Sequence, residues 1–163
     1  AVAARPDDPG ARNNLATALR AAGRTDEALA EFEQALRSRP DYTDAEYNLA
    51  TTLLARGRNG EAIGHLEHVV RLQPEDAAAL SDLGAAYAMA GRPRDARSVL
   101  ERSVRLEPAN ARAHFNLGLL AAARGQPAAA VGHFEKALRL DPANSETASA
   151  LAEARAAMAR PRK

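Results

Sequence analysis

Large apolar residues recur along the chain with the spacing of one helix face. Phe32 is followed four positions later by Leu36, and Leu66 is followed in the same way by Val70. Residues four apart lie one above the other on an α-helix, so this spacing predicts helices that bury one stripe.

The same pattern returns every 34 residues without an insertion or a deletion. Four columns of identical residues keep this period, which predicts stacked copies of one structural unit. The columns are Pro6, Pro40, Pro74, Pro108 and Pro142; Gly23, Gly57, Gly91 and Gly125; Leu15, Leu49, Leu83 and Leu117; and Ala28, Ala62, Ala96 and Ala130.

Glycine and proline divide each repeat into two helices. The glycine column separates two helix-compatible stretches, and glycine can adopt the left-handed conformation in which helices commonly end. Pro93 and Pro127 follow a glycine by two residues, where the first turn of a helix needs no backbone N–H. Thr43 and Glu46 have the spacing of a capping box, which predicts a helix start near Thr43. Each repeat is therefore expected to be a helix hairpin.

The 34-residue pattern resembles the tetratricopeptide repeat family, in which Leu and a small residue precede Gly, Ala, an aromatic residue or Leu, and Pro. The resemblance covers residues 9-42, 43-76, 77-110 and 111-144. It implies an all-α fold, a right-handed superhelical solenoid of antiparallel helix hairpins whose first helices line a concave groove. The bulky site early in the first helix departs from the family and is occupied by Arg12, Glu46, Leu80 and His114.

Three segments lie outside the four repeats. Residues 1-8, with Pro6 in the proline column, are expected to be the last turn of a preceding, truncated repeat. Residues 145-159 begin like another first helix, with Ser145 near its start, and predict a capping helix with a polar outer face. Residues 160-163 are expected to form a basic tail.

Composition excludes several classes of function. The 22 basic and 21 acidic residues leave a net charge of +1, so we expect no nucleic-acid partner and no attraction to anionic membranes. Cysteine is absent, which excludes disulfides, thiolate metal sites and a cysteine nucleophile. No apolar run approaches the ~20 residues of a membrane span. The excess of Ala, together with 20 Arg against 2 Lys, hints at a bacterial high-GC genome; the compartment stays open.

No group of residues predicts catalysis or a cofactor. The chain offers no activated nucleophile, no carboxylate pair set apart from the repeats and no glycine-rich phosphate loop. His65 and His68 lie one turn apart with Glu61 one turn before them, which permits a weak metal site. Ligands on one helix need a further partner, however, so no metal site is predicted. His114 and His133 are expected to be isolated.

One polar column on the first helices predicts binding. Asn14, Asn48, Asp82 and Asn116 each precede the leucine column, and because that leucine is expected in the core, the residue before it flanks the groove. Amides both donate and accept, so a ladder of them can bind the backbone of an extended peptide. The column is similar to that of the superhelical repeats of O-linked N-acetylglucosamine transferase, in which Asn residues contact substrate polypeptide; Asp82 departs from it.

Neighbouring columns extend the predicted groove. One column places aromatic anchors beside the amides, and a second lies one turn further along each helix. Their members are Asn13, Tyr47, Ser81 and Phe115, and Thr17, Thr51, Ala85 and Leu119. The alternative, that the Asn column supports the contact between repeats by hydrogen-bonding neighbouring backbone, stays open.

These patterns predict a non-catalytic scaffold that binds an extended peptide or a partner protein in its concave groove. A first alternative is a substrate-recruiting segment of a larger enzyme, such as a glycosyltransferase, because the chain starts inside a repeat at Ala1. A second is self-assembly, in which an exposed apolar N-terminal end meets another copy to give a homo-oligomer.

Overall fold

The computed structural model describes residues 8–159, and within this range every regular element is an α-helix. The prediction of an all-α fold is therefore confirmed. The helices are α1 (Pro9–Ala21), α2 (Thr25–Ser38), α3 (Thr43–Ala55), α4 (Asn59–Leu72), α5 (Ala77–Met89), α6 (Pro93–Leu106), α7 (Ala111–Ala123), α8 (Pro127–Leu140) and α9 (Ser145–Ala159). None of these nine helices combines the length and the apolar character needed to cross a membrane.

The predictions for residues 1-8 and 160-163 lie outside the described residues, apart from Asp8. The Asp8 side chain caps α1, because its Oδ2 accepts a hydrogen bond from the Ala11 N–H at 3.0 Å. A carboxylate at this place satisfies one of the backbone donors that every helix start leaves free.

Glycine ends the first helix of each hairpin, as predicted. Gly23, Gly57, Gly91 and Gly125 have positive φ angles between 67° and 77°. The residue after each glycine donates its N–H to a carbonyl five positions earlier, at 2.8 to 3.0 Å. This six-to-one bond defines a Schellman motif and satisfies a carbonyl that the helix end would leave unpaired. Pro93 and Pro127 are the first residues of α6 and α8, which confirms that they start helices.

The start of α3 is confirmed, but the predicted capping box is wrong. The helix begins at Thr43, and Tyr42 occupies the cap position without a side-chain hydrogen bond. Thr43 is thus already helical, and its hydroxyl accepts a hydrogen bond from the Gln73 amide at 3.0 Å. The Glu46 carboxylate contacts two imidazoles of α4 and does not reach back to the helix start.

The helices form two compact units, which divide between Pro74 and Glu75. In the first unit α1 and α2 form one hairpin, α3 and α4 form the next, and α3 packs against both helices of the first hairpin. Phe32 is completely buried at the centre of this core, together with Leu29, Leu49 and Ala28. The apolar stripe predicted from the sequence therefore forms the core of this unit.

The second unit contains the hairpins α5–α6 and α7–α8, and α9 packs against α8 and α7. Its core at the α9 end contains Phe134, Ala130, Leu151 and Ala154. Small residues bring the helices close together, because a Cβ placed on Gly118 would lie 2.4 Å from Cε1 of Phe134. The small residue that follows Leu in the family pattern thus has a direct packing reason at Gly118.

Leu15 differs from the other leucines of its column. Its side chain is 49% exposed, whereas Leu49, Leu83 and Leu117 are buried. The prediction that this column points into the core is therefore wrong for Leu15. Among the described residues no helix precedes α1 and could cover this position.

Candidate functional site

The residues predicted to line the groove in the first unit are Asn13, Asn14, Thr17, Tyr47, Asn48 and Thr51. Asn13 is buried, and its side-chain oxygen accepts a hydrogen bond from the Asn48 amide at 3.1 Å, which joins α1 to α3. Asn14 is exposed, and its amide has no hydrogen bond to any described residue. The Asn14 amide therefore keeps all its donors and its acceptor, while Asn48 has given one of its two amide N–H groups to Asn13.

The two threonines among these residues bond mainly to their own helices. The Thr17 hydroxyl donates to the Asn13 carbonyl at 2.9 Å, and the Thr51 hydroxyl donates to the Asn48 carbonyl at 3.1 Å. Thr51 also accepts a hydrogen bond from the Arg20 guanidinium at 3.2 Å, across from α1 to α3. Arg20 thus adds a cation that the columns did not predict. Tyr47 is half-buried and lies one turn before Thr51 on α3.

In the second unit Asp82 is tied to its neighbour. Its carboxylate is buried and forms an ion pair with Arg112 of α7. A buried carboxylate needs such a cation because charge is costly to remove from water. Asp82 is therefore a link between α5 and α7, and its place in the peptide ladder remains a prediction.

Phe115 and Asn116 face an open pocket of about 530 Å³ between α5, α7 and α9, here called the acidic pocket. The Phe115 ring is half-buried and packs against Phe134 with its centroid 5.8 Å away. The Asn116 amide has no hydrogen bond to any described residue. Asp141 and Glu146 also line this pocket.

An apolar crevice of about 260 Å³ lies between α7, α8 and α9. Leu119, which is 43% exposed, forms one wall with Phe134 beneath it, and Ala150 and Ala154 of α9 form the other. Glu153 is its one charged lining residue. Leu119 lies one turn after Phe115, as its column predicts.

Sequence reasoning missed Asp141 and Glu146. They belong to the loop before α9 and to the first turn of α9, after the last full repeat. The sequence signal for them was their position beside the start of α9. Asn144 rather than Ser145 caps this helix, because its side-chain oxygen accepts a hydrogen bond from the Thr147 N–H at 2.8 Å.

The site early in each first helix faces the second helix of the same hairpin. Arg12 forms an ion pair with Glu31 at 2.9 Å, and Glu46 contacts His65 at 3.3 Å. His114 contacts His133 with 3.4 Å between their Nδ1 atoms. In all three hairpins the partner lies nineteen residues later in the chain, so polar contacts replace the bulky residue of the family pattern.

The carboxylate near His65 and His68 is a different one from that predicted. Glu61 is paired with Arg58 at 2.6 Å, and the carboxylate between the two imidazoles is Glu46 of α3. Within residues 8–159 no three His, Cys, Asp or Glu side chains are arranged to hold a metal ion.

His114 and His133 form a pair whose protonation is disfavoured. The prediction that they are isolated is therefore wrong. Nε2 of His114 lies 3.2 Å from the Pro108 carbonyl oxygen and must donate to it, so Nδ1 is left to accept from His133. Burial lowers the pKa of both imidazoles, and the Lys136 charge lowers it further. For His114 the bond to Pro108 opposes this shift in the pKa only in part.

We expect this pair to make stability fall as the pH falls through about 6.5, the ordinary histidine pKa. The unfolded chain then binds protons that the folded pair resists, so protonation favours unfolding. Urea unfolding at pH 7.5 and 5.5 measures the effect. The control is His114→Leu with His133→Val, the residues that the third repeat carries as Leu80 and Val99. An equal loss of stability in both proteins would contradict the expectation.

Comparison with known proteins points to one family. A tetratricopeptide repeat profile matches residues 1–43 and 86–145, and a second one matches residues 41–108. A solved thermophilic TPR protein of Thermus thermophilus is 31% identical, with a TM-score of 0.77 over 93% of this chain and 84% of that chain. MamA from Desulfovibrio magneticus RS-1 is 27% identical, with a TM-score of 0.78 over 86% and 79% of the two chains.

YrrB, described as a TPR protein with an unusual peptide-binding site, is 22% identical, with a TM-score of 0.75 over 93% of this chain and 78% of that chain. No curated protein matches the sequence. These likenesses support an all-α helical-repeat solenoid and a role as a protein-interaction scaffold.

Proposed function

Because the chain belongs to the tetratricopeptide repeat family, we propose that it is a non-catalytic scaffold that binds an extended segment of a partner protein on its first-helix faces. The observation that carries the proposal is the Asn116 amide, which lines an open pocket without a hydrogen bond to any described residue. The amide is half-buried and keeps its two N–H groups and its oxygen available to a partner that brings its own donors and acceptors.

An extended peptide supplies those groups at every residue. Its carbonyl accepts from the Asn116 NH₂, and its N–H donates to the Asn116 oxygen, whatever its side chains are. The half-buried Phe115 ring beside it offers an apolar contact of the kind that anchors binding. Asn14, exposed on α1, has the same open amide in the first unit.

Replacing Asn14 and Asn116 with Ala should weaken peptide binding while leaving the fold unchanged, because neither amide bonds to a described residue. One lost hydrogen bond costs about 1 kcal/mol, which is roughly a fivefold weaker affinity for each amide. Peptides selected from a random displayed library on the whole chain provide the probe, with affinities measured by fluorescence anisotropy and helicity checked by circular dichroism.

Gln34→Ala is the control, since it removes an exposed amide from the second helix of the first hairpin, together with its hydrogen bond from Arg37 at 3.1 Å. Equal affinities for the control and the double variant would reject the amides as ligand contacts. Failure to select any peptide would reject the peptide-binding proposal itself. It would favour self-assembly or recruitment to a catalytic domain elsewhere.

A further inference from the structure

The acidic pocket of the second unit carries negative charge that no described cation neutralises. The Asp141 carboxylate accepts a hydrogen bond only from the Asn144 amide, at 3.4 Å, and Glu146 is exposed without an ion pair. Arg112, which also lines the pocket, is paired with the buried Asp82. The lining thus holds two carboxylates against one guanidinium, and a cationic side chain complements this local excess of negative charge.

The apolar crevice has the opposite character. Leu119, Ala150 and Ala154 line it, and its floor is the Phe134 ring. Leu119 keeps 43% of its surface exposed, so a ligand in the crevice would remove apolar surface from water. Burying one aliphatic side chain completely is worth about 1.5–3 kcal/mol, and a partial burial in this crevice is worth part of that.

On α7 and on α9, a residue that lines the crevice lies one helical turn after a residue that lines the acidic pocket. On α7 Phe115 lines the acidic pocket and Leu119 lines the crevice; on α9 Glu146 lines the acidic pocket and Ala150 lines the crevice. Four residues of helix span about 6 Å. Asn116 lines the acidic pocket and lies three residues before Leu119 of the crevice, so the two side chains are neighbours on the surface of α7.

An extended peptide that crosses α7 and α9 would present its side chains to both pockets in turn. In an extended chain successive side chains point in opposite directions, while the backbone N–H and C=O groups point at right angles to them. If the backbone bonds to Asn116, one side chain is directed along α7 toward its N-terminus and the next toward its C-terminus. The first meets the acidic pocket and the second meets the apolar crevice.

We propose that this face of the second unit selects a partner segment in which a Lys or Arg is directly adjacent to a Leu, Ile, Val or Met. The basic side chain pairs with Asp141 and Glu146, and the apolar side chain enters the crevice against Leu119. This inference rests on the proposed function, because Asn116 must hold the backbone for the side chains to alternate between the pockets.

Selection of random displayed octapeptides on the whole chain tests the proposal. We expect enrichment of adjacent basic–apolar pairs among peptides that lose affinity for Asn116→Ala. Changing the selected Lys to Ser should weaken binding about fivefold, and changing the selected Leu to Ser should weaken it about tenfold. Raising the salt concentration should reduce only the Lys effect, since screening acts on charges.

The variant Asp141→Asn with Glu146→Gln should abolish the preference for Lys over Ser and leave the preference for Leu intact. Leu119→Ser should do the reverse. The control is Asp95→Asn with Glu101→Gln on α6, which removes the same charge from residues that line neither pocket and that pair with Arg92 and Arg97. This control should keep both preferences.

Three outcomes would overturn the inference. Selected peptides that depend on Asn116 but lack the basic–apolar pair would reject it and leave the proposed function standing. An enriched pair whose Lys preference survives in the double variant would assign the charge recognition to other residues. If no peptide is enriched over a control without protein, both the inference and the proposed function fail.

Discussion

Replacing Phe134 with Ala should lower the free energy of unfolding by about 3–5 kcal/mol. The ring is 1% exposed and packs with Ala130, Leu151 and Ala154 in the second unit. Removing it opens a cavity where α8 meets α9, and the surrounding alanines are too short to fill the space. Urea unfolding followed by circular dichroism measures the loss.

Phe115→Ala is the matched control for this variant, because the same ring is removed from a half-buried position that contacts Phe134. We expect it to cost clearly less. A Phe134→Ala variant that unfolds at the same urea concentration as the Phe115→Ala variant would show that the core of this unit lies elsewhere.

Replacing Gly118 with Val should destabilise the chain by about 2–3 kcal/mol through overpacking. The new Cβ would lie 2.4 Å from Cε1 and 2.6 Å from Cδ1 of Phe134, and the ring itself is buried. The two methyl groups of Val add to this clash. Thermal and urea unfolding of the variant, compared with the original chain, give the magnitude.

Gly132→Val provides the control, because no atom lies within 4 Å of a Cβ placed at Gly132 in the middle of α8. Val is a slightly better helix residue than Gly, so this variant should keep or slightly raise the stability. Gly118→Ala should fall between the two, since the first repeat places Ala16 at the same position with Phe32 at the same spacing. Equal stabilities of the two Val variants would contradict the packing argument.

The helix ends were predictable because they depend on local conformation. Gly57 must adopt a positive φ and Pro93 lacks a backbone N–H, whatever lies around them. The buried stripe was predictable for a similar reason: periodicity alone decides which face of a helix is apolar. Phe32 and Phe134 are buried as that periodicity requires.

The partners of the polar side chains were less predictable, because they depend on the neighbouring helix. The Asn column shows this well, since its four members have four different surroundings. Asn14 is exposed, Asn48 bonds to Asn13, Asp82 forms a buried ion pair and Asn116 lines a pocket. Position in the repeat determined the face of the helix, while the residue opposite determined the bond. Glu46 failed as a capping residue for the same reason.

The contacts between residues nineteen apart bear on how near-identical hairpins avoid exchanging partners as they fold. Repeat chains are prone to such misassembly, because any first helix resembles every other. In this chain, a first helix of the second repeat docked on the second helix of the first repeat would oppose Glu46 with Glu31, and the reverse exchange would oppose Arg12 with His65. Both exchanges forfeit the native polar contacts, and the first sets two carboxylates against each other. The three hairpins with a polar pair thus differ chemically at this site, so the native pairing of their helices is favoured over the exchanged one.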